Sequence, residues 1–237
     1  MAVIRDTNIS GDLEEKLGKN IWWKPEIDKK EFKKLCVKRT MPGIVYTSMY
    51  FIALVVSGYL AYLTWGTYWT ILWFWIYGTI YSFSGAYDHE SRHRTLFKQR
   101  WLNEIFQYIF SFMTNFEPVR WRWTHTLHHS YTLHTKEPLD FEIQVDRPSK
   151  LIKYFVSFLP FGPLLWIHQS YLAETLKNSL GIMTPVIQDC VPKEHQWKVF
   201  LSSRIHMLIW VSIIILSIYF STILPVLFFL LPTFYGN

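Results

Sequence analysis

TMPGIVYTSMYFIALVVSGYLAYLTWGTYWTILWFWIYGTIYSFSGAY, residues 40–87, contains no Asp, Glu, Lys or Arg. A helix crossing about 30 Å of hydrocarbon needs about 20 apolar residues. The tract is therefore long enough for two crossings and too long for one. Gly66 and Thr67 sit near its middle, with Tyr62, Trp65, Tyr68 and Trp69 around them. Such aromatic crowding is expected of a turn at a membrane–water interface. The reading is a helical hairpin with spans at about 43–65 and 68–86. A soluble core has no need of so long an uncharged run, so the expected class is an all-α integral membrane protein.

Toward the C-terminus, no charged residue follows Arg204. Residues 206–221 predict a third span, and 222–236 a fourth that Pro225 and Pro232 interrupt and that ends short or truncated. The expected architecture is four transmembrane helices as two hairpins, capped by a cytoplasmic helical segment. Trp101–Phe116 has amphipathic periodicity. Tyr154–Leu172 is uncharged, but Pro160, Gly162 and Pro163 break it, which favours an interfacial or re-entrant segment over a crossing. Lys and Arg number ten in residues 1–39 and ten in 88–153, with none in the hairpin turn. Positive charge stays on the cytoplasmic side. The division expected is thus a cytoplasmic N-terminal segment, 1–40, and a membrane domain, 41–237. The first residues have no apolar run of signal-peptide length, leaving the first span as insertion signal.

Composition agrees. The 237 residues are half apolar, with 18% charged and only two cysteines. That excludes a disordered chain and a disulfide scaffold. The net charge of +6 suits an anionic membrane surface, and no recognition motif supports nucleic-acid binding. Cys36 and Cys190 form no CxxC and read as reduced thiols.

Five of the nine histidines fall into two tight groups. DHESRHR, residues 88–94, sets His89 and His93 four apart. HTLHH, residues 125–129, sets His125 and His129 four apart, with His128 between them. Positions i and i+4 share one helix face, so each pair can reach one metal ion. A lone histidine at a membrane edge is usually an interfacial polar group, and His168, His195 and His206 are read as structural or interfacial; His134, five residues past HTLHH, is read as a neighbour or supporting group of that cluster. HESRH also satisfies HExxH, the zinc-protease pattern. Against that reading, Asp88, Arg92 and Arg94 would each have to be paired or buried, and HTLHH would be left unexplained. Imidazole-rich sites suit iron, copper, nickel or zinc, and five imidazoles exceed one tetrahedral zinc site. Glu90, Asp140 and Glu142 are candidate acceptors for the far nitrogens of the rings. Arg92 and Arg94 read as interfacial arginines, or as contacts for an acidic partner or head group.

DHESRHRTLFKQRWLNE and WRWTHTLHHSYTLHTKEPLDFEI resemble the first and second histidine boxes of the membrane fatty acid desaturase superfamily, which includes alkane and carotenoid hydroxylases. IDKKEFKKLCVKRTMPGI resembles the lead-in of bacterial members, so the likeness runs from about residue 27 to the end. It implies a non-haem centre of two iron ions held by His89, His93, His125, His128 and His129, with O2 as co-substrate. It also implies an acyl-lipid substrate in the bilayer and a location in a bacterial inner membrane, with N-terminus and boxes cytoplasmic. No haem or iron–sulfur pattern is fused to the chain, so electrons are expected from a separate ferredoxin- or rubredoxin-type carrier. Desaturation is the reaction the second-box context resembles most; a hydroxylase of the alkane or carotenoid type is the alternative. Family members carry a third box, HxxHH, which this sequence lacks. The chain is therefore expected to be C-terminally incomplete, with a non-catalytic truncated remnant as a further reading.

Overall fold

The computed structural model describes residues 26–132, 140, 142, 151–157 and 159–235. Most of the expected N-terminal segment, and His134, lie outside the described residues. Every regular element among the described residues is helical.

The first, α1 (Lys29–Leu35), belongs to a separate compact unit. Asp28 caps it: Oδ1 accepts from the Lys30 and Glu31 amides, each at 2.9 Å.

The second unit begins with α2 (Thr40–Leu63). Pro42 falls in its first turn, where a missing N–H costs nothing. Gly66, at φ +84°, turns the chain into α3 (Tyr68–Ser82), giving the expected hairpin. A Cβ on Gly58 would lie 3.0 Å from the Tyr77 ring, so the two helices approach closely there. With 15 residues, α3 rises roughly 22 Å, less than a bilayer core. Beyond Phe83 the chain continues as α4 (Ser84–Arg92), which carries the first box.

α5 (Arg100–Thr114) and α6 (Pro118–Tyr131) follow. The amphipathicity of α5 is inverted. Asn103, Gln107 and Ser111 are buried, whereas Trp101, Ile105 and Tyr108 are exposed. Such a face is costly in water and natural against lipid.

The segment around Tyr154–Leu172 is no crossing helix. It comprises α7 (Leu151–Ser157) and a 3-10 helix (Gly162–Gln169). After α8 (Tyr171–Ser179) and α9 (Pro185–Cys190) comes α10 (Lys193–Tyr219). It starts well before the predicted span at 206, and its 27 residues rise about 40 Å. Among the described residues, two helices are long and apolar enough to cross a membrane, the one ending at Leu63 and Lys193–Tyr219, and most of their apolar surface is exposed.

Residues 222–236, expected as a fourth span, form two short helices, α11 (Leu224–Phe229) and α12 (Pro232–Tyr235). The reason is local. Pro232 has no N–H for the Phe228 carbonyl four residues earlier. That carbonyl accepts instead from Tyr77 Oη of α3 at 2.9 Å. Tyr81 Oη reaches the Phe229 carbonyl at 3.3 Å, and Tyr235 Oη the Leu227 carbonyl at 2.8 Å. Tyrosines thus satisfy a broken helix and dock it on the hairpin. Tyr50, Leu54, Tyr77, Tyr81, Phe110, Met113 and Tyr235 form the resulting core.

Candidate metal centre

Two local devices position the box helices. After α4, the Asn103 amide holds the returning loop, donating to the Phe97 and Gln99 carbonyls at 2.7 Å each and accepting from the Phe97 amide at 3.1 Å. Before α6, Asn115 turns the chain at φ 60°, and Glu117 caps the helix. Its carboxylate accepts from the Val119 amide at 2.9 Å and the Arg120 amide at 2.6 Å, with Pro118 in the first turn. The cap satisfies otherwise orphaned amides and meets the positive end of the helix dipole.

α4 supplies His89, and His93 forms its C-cap; α6 supplies His125, His128 and His129. Ligand atoms of His89, His93, His125 and His129 all lie within 4.8 Å of one another. The Nε2 atoms of His93, His125 and His129 make a nearly equilateral triangle, with edges of 3.0, 3.1 and 3.1 Å. At a metal–nitrogen distance of about 2.1 Å, cis donors of an octahedron stand about 3.0 Å apart and tetrahedral donors about 3.4 Å apart. The triangle fits an octahedral face. His89 joins them with its ring centroid 4.6 Å from His93 and 4.8 Å from His125.

His128 stands aside from this group, its ring 5.8 Å from His125 and 5.7 Å from His129. Its Nδ1 meets Asp140 Oδ2 at 2.8 Å, and His125 Nδ1 meets Glu142 Oε2 at 2.7 Å. A carboxylate can only accept, so each Nδ1 carries the proton and each Nε2 keeps its lone pair when the ring is neutral. Glu90 is engaged differently. Its Oε2 accepts from Thr95 Oγ1, and its Oε1 lies 3.7 Å from His89 Nδ1.

Electrostatics keep the site in its ligating form. Burial, and then the charge that His89, His125 and His129 would carry, lowers His93 to about 4. His129 is lowered for the same reasons, burial first. Both rings are therefore neutral at physiological pH, as a metal ligand must be.

The charges interleaved with the first box contradict the interfacial reading of Arg92. Its guanidinium is buried and pairs with Asp88 at 2.9 Å. The pairing also removes the objection that unpaired charge raised against a zinc-protease helix. What argues against that reading now is HTLHH, whose His125 and His129 join the HESRH pair in one cluster. Arg94, in contrast to Arg92, is partly exposed, 3.7 Å from Glu104. The sequence reading missed Arg92, Trp121, Glu117 and Arg120 as parts of the site's frame. The i,i+4 spacing of Asp88 and Arg92 was the available signal.

His195 and His206 stay apart from the cluster. His195 stacks on Trp123 at 5.6 Å and His206 lies against Phe112 at 5.2 Å.

Two histidine boxes on separate helices thus meet at one point able to hold a metal ion. The family model for fatty acid desaturase matches residues 64–237, and the chain belongs to that family. It is a di-iron enzyme class whose members are oxidoreductases of the desaturase and hydroxylase kind. The match begins at the hairpin turn, so the likeness traced upstream to residue 27 lies outside it. No curated protein and no solved structure matches the chain.

Proposed function

We propose that this chain is a membrane-bound, O2-dependent fatty acid desaturase acting on acyl lipid. The observation that carries the reading is the convergence of four imidazoles from two separate helices inside the family-matched region. His89, His93, His125 and His129 fit one ion. His128 serves a second, and that ion needs donors beyond these five residues. When bound, the two irons supply activation of dioxygen for attack on an unactivated C–H bond. The chain's own part is to hold neutral imidazoles in fixed tautomers. Glu142 and Asp140 do this through the Nδ1 protons of His125 and His128.

The membrane arrangement goes with this reading. On this reading the chain has four membrane segments, the last broken at Pro232, and its positive charge keeps the N-terminus and both boxes on the cytoplasmic side of a bacterial inner membrane. Residues 41–237 form the membrane domain. Electrons come from a separate ferredoxin- or rubredoxin-type carrier.

Mass spectrometry of lipids from cells expressing the chain tests the proposal. A new double bond dependent on O2 is the expected product, lost in His89→Ala and His128→Ala but kept in His195→Ala. A new alcohol without a double bond would make the protein a hydroxylase. Equal loss in all three variants would deny the clusters any special role.

A further inference from the structure

Arg92 lies inside the first box, one residue before His93, yet its side chain leaves the imidazoles altogether. The guanidinium is buried where α4, α5 and α6 meet. Nη2 donates to Asp88 Oδ2 at 2.9 Å and to Ser111 Oγ at 2.8 Å, and Nη1 donates to the Pro118 carbonyl at 2.7 Å. Ser111 Oγ in turn donates to Asp88 Oδ1 at 3.1 Å. The guanidinium carbon, Cζ, sits over the Trp121 ring, 3.8 Å from its centre. That ring stacks on His125, with centroids 4.8 Å apart and planes 26° from parallel. Among the described residues only Nε of this guanidinium lacks an acceptor.

Stability alone is a poor reason for this arrangement. Burial works against both charges, lowering the Arg92 pKa and raising that of Asp88, and each ion is a principal compensation for the other. Apolar residues of similar volume often do as well or better. What an arginine fork adds is direction, since its donors and its stacking face are rigidly related. Here one guanidinium fixes the first turn of α6 through Pro118 and the wall behind His125 through Trp121. At the same time it is anchored to its own box helix through Asp88 and to α5 through Ser111.

We infer that Arg92 is a positioning residue for the metal centre. It locks α6 against α4 in the one register at which His125 and His129 meet His93. The inference rests on the proposed reading of these histidines as metal ligands. It concerns how their geometry is set, and it separates Arg92 from any part in docking a lipid head group or an acidic partner.

Cobalt(II) titration of the full chain in lipid nanodiscs, followed by visible absorption and metal stoichiometry, tests it. Arg92→Lys keeps the charge and offers three donors, but has no fork and no plane for Trp121. It should weaken cobalt binding by about 10–100-fold and shift the absorption bands, while helicity stays that of the wild type. Trp121→Leu changes no charge and should shift the bands in the same direction; it also serves if Arg92→Lys does not fold. Leu54→Ala, in the hairpin core, should lower the unfolding temperature and leave the bands in place. Wild-type bands and affinity in both site variants would overturn the positioning role alone, as would an equal shift from Leu54→Ala. Absence of cobalt bands in the wild type would overturn the metal-ligand reading, and this inference with it.

Discussion

In the α2–α3 hairpin the large buried side chains are Tyr50, Leu54, Tyr77 and Tyr81, with the small Thr47, Ser57 and Ala61 between them; in α4–α6 and their connections the buried side chains include Asp88, Arg92, Ser111, Glu117 and Arg120. The hairpin packs by area, and its polar links are hydroxyls on backbone carbonyls: Tyr50 reaches the Tyr81 carbonyl within the hairpin, and Tyr77 and Tyr81 reach the Phe228 and Phe229 carbonyls of the proline-broken segment. The histidine cap packs by direction. Asp88 and Glu117 are 0% exposed and Arg120 is 1% exposed. The contrast follows from what each part must do. Lipid is as apolar as leucine, so apolar packing there supplies shape more than driving force. A metal site must hold several nitrogens within a few tenths of an ångström, and oriented charge and hydrogen bonds do that better than area.

The largest break in this contrast should come from cutting the cap's ion pair. Asp88→Ala leaves Arg92 buried without its charge partner and should cost about 3–5 kcal/mol, read as a fall in the thermal unfolding midpoint in detergent. The double replacement Asp88→Leu with Arg92→Met should recover most of that stability. If it also recovered full activity, the directional account of the cap would fail.

Next comes the seam between the two regions. Gly43 of α2 lies under the backbone of Leu96, in the loop that follows the first box. A Cβ there would collide with the Leu96 carbonyl oxygen and lie 2.9 Å from the Phe97 ring. Backbone cannot step aside as a side-chain tip can. Gly43→Ala should therefore destabilise by about 1–3 kcal/mol, again by thermal unfolding, and should disturb cap and hairpin together.

A smaller effect is expected inside the hairpin. Leu54→Ala in a water-soluble core would cost about 2–5 kcal/mol, a transfer term plus a cavity term. Where the unfolded reference is still in lipid the transfer term nearly vanishes. The loss should then be about 1–2 kcal/mol, from lost packing. A full aqueous-core cost would mean that this helix pair is not surrounded by lipid.

The same contrast explains what the sequence made legible. Continuous apolar tracts announce themselves, so α2 and the membrane-length part of α10 were readable from absence of charge alone. The break of α3 into α4 at Phe83 was marked only by the Ser84-Gly85 pair beside it, inside a tract whose lack of charge read as one continuous span. Pro225 and Pro232 did mark the weak fourth segment, though nothing local said that Tyr77 would take up the freed carbonyl. At the site, i,i+4 spacing gave the histidine pairs, and Asp140 and Glu142 were visible as nearby acids. Which acid serves which ring depends on tertiary placement. Arg92 was misread because an arginine beside an apolar span ordinarily reaches for water. Its burial depends on Ser111 and Pro118, both far along the chain.

The smallest effect concerns pH, and it divides the two regions by their titrating groups. His93 is lowered to about 4 by burial first and by its neighbouring histidines second. Unfolded, it would titrate near 6.5. A histidine whose pKa is depressed on folding contributes stability that is fully present above about 6.5 and is lost as pH falls through about 4. Metal-free protein should thus lose unfolding temperature on acidification across that window, and iron should lose its hold over the same range as the rings protonate. Asp88 and Glu117 are shifted upward by burial and act with the opposite sign, favouring the folded state as they take up protons. His93→Gln separates these contributions, since it removes one titration and leaves both acids. The variant's unfolding midpoint should fall less steeply between pH 6.5 and 4 than that of the wild type. Parallel slopes would mean that the acid sensitivity of the cap arises elsewhere than at the imidazole cluster.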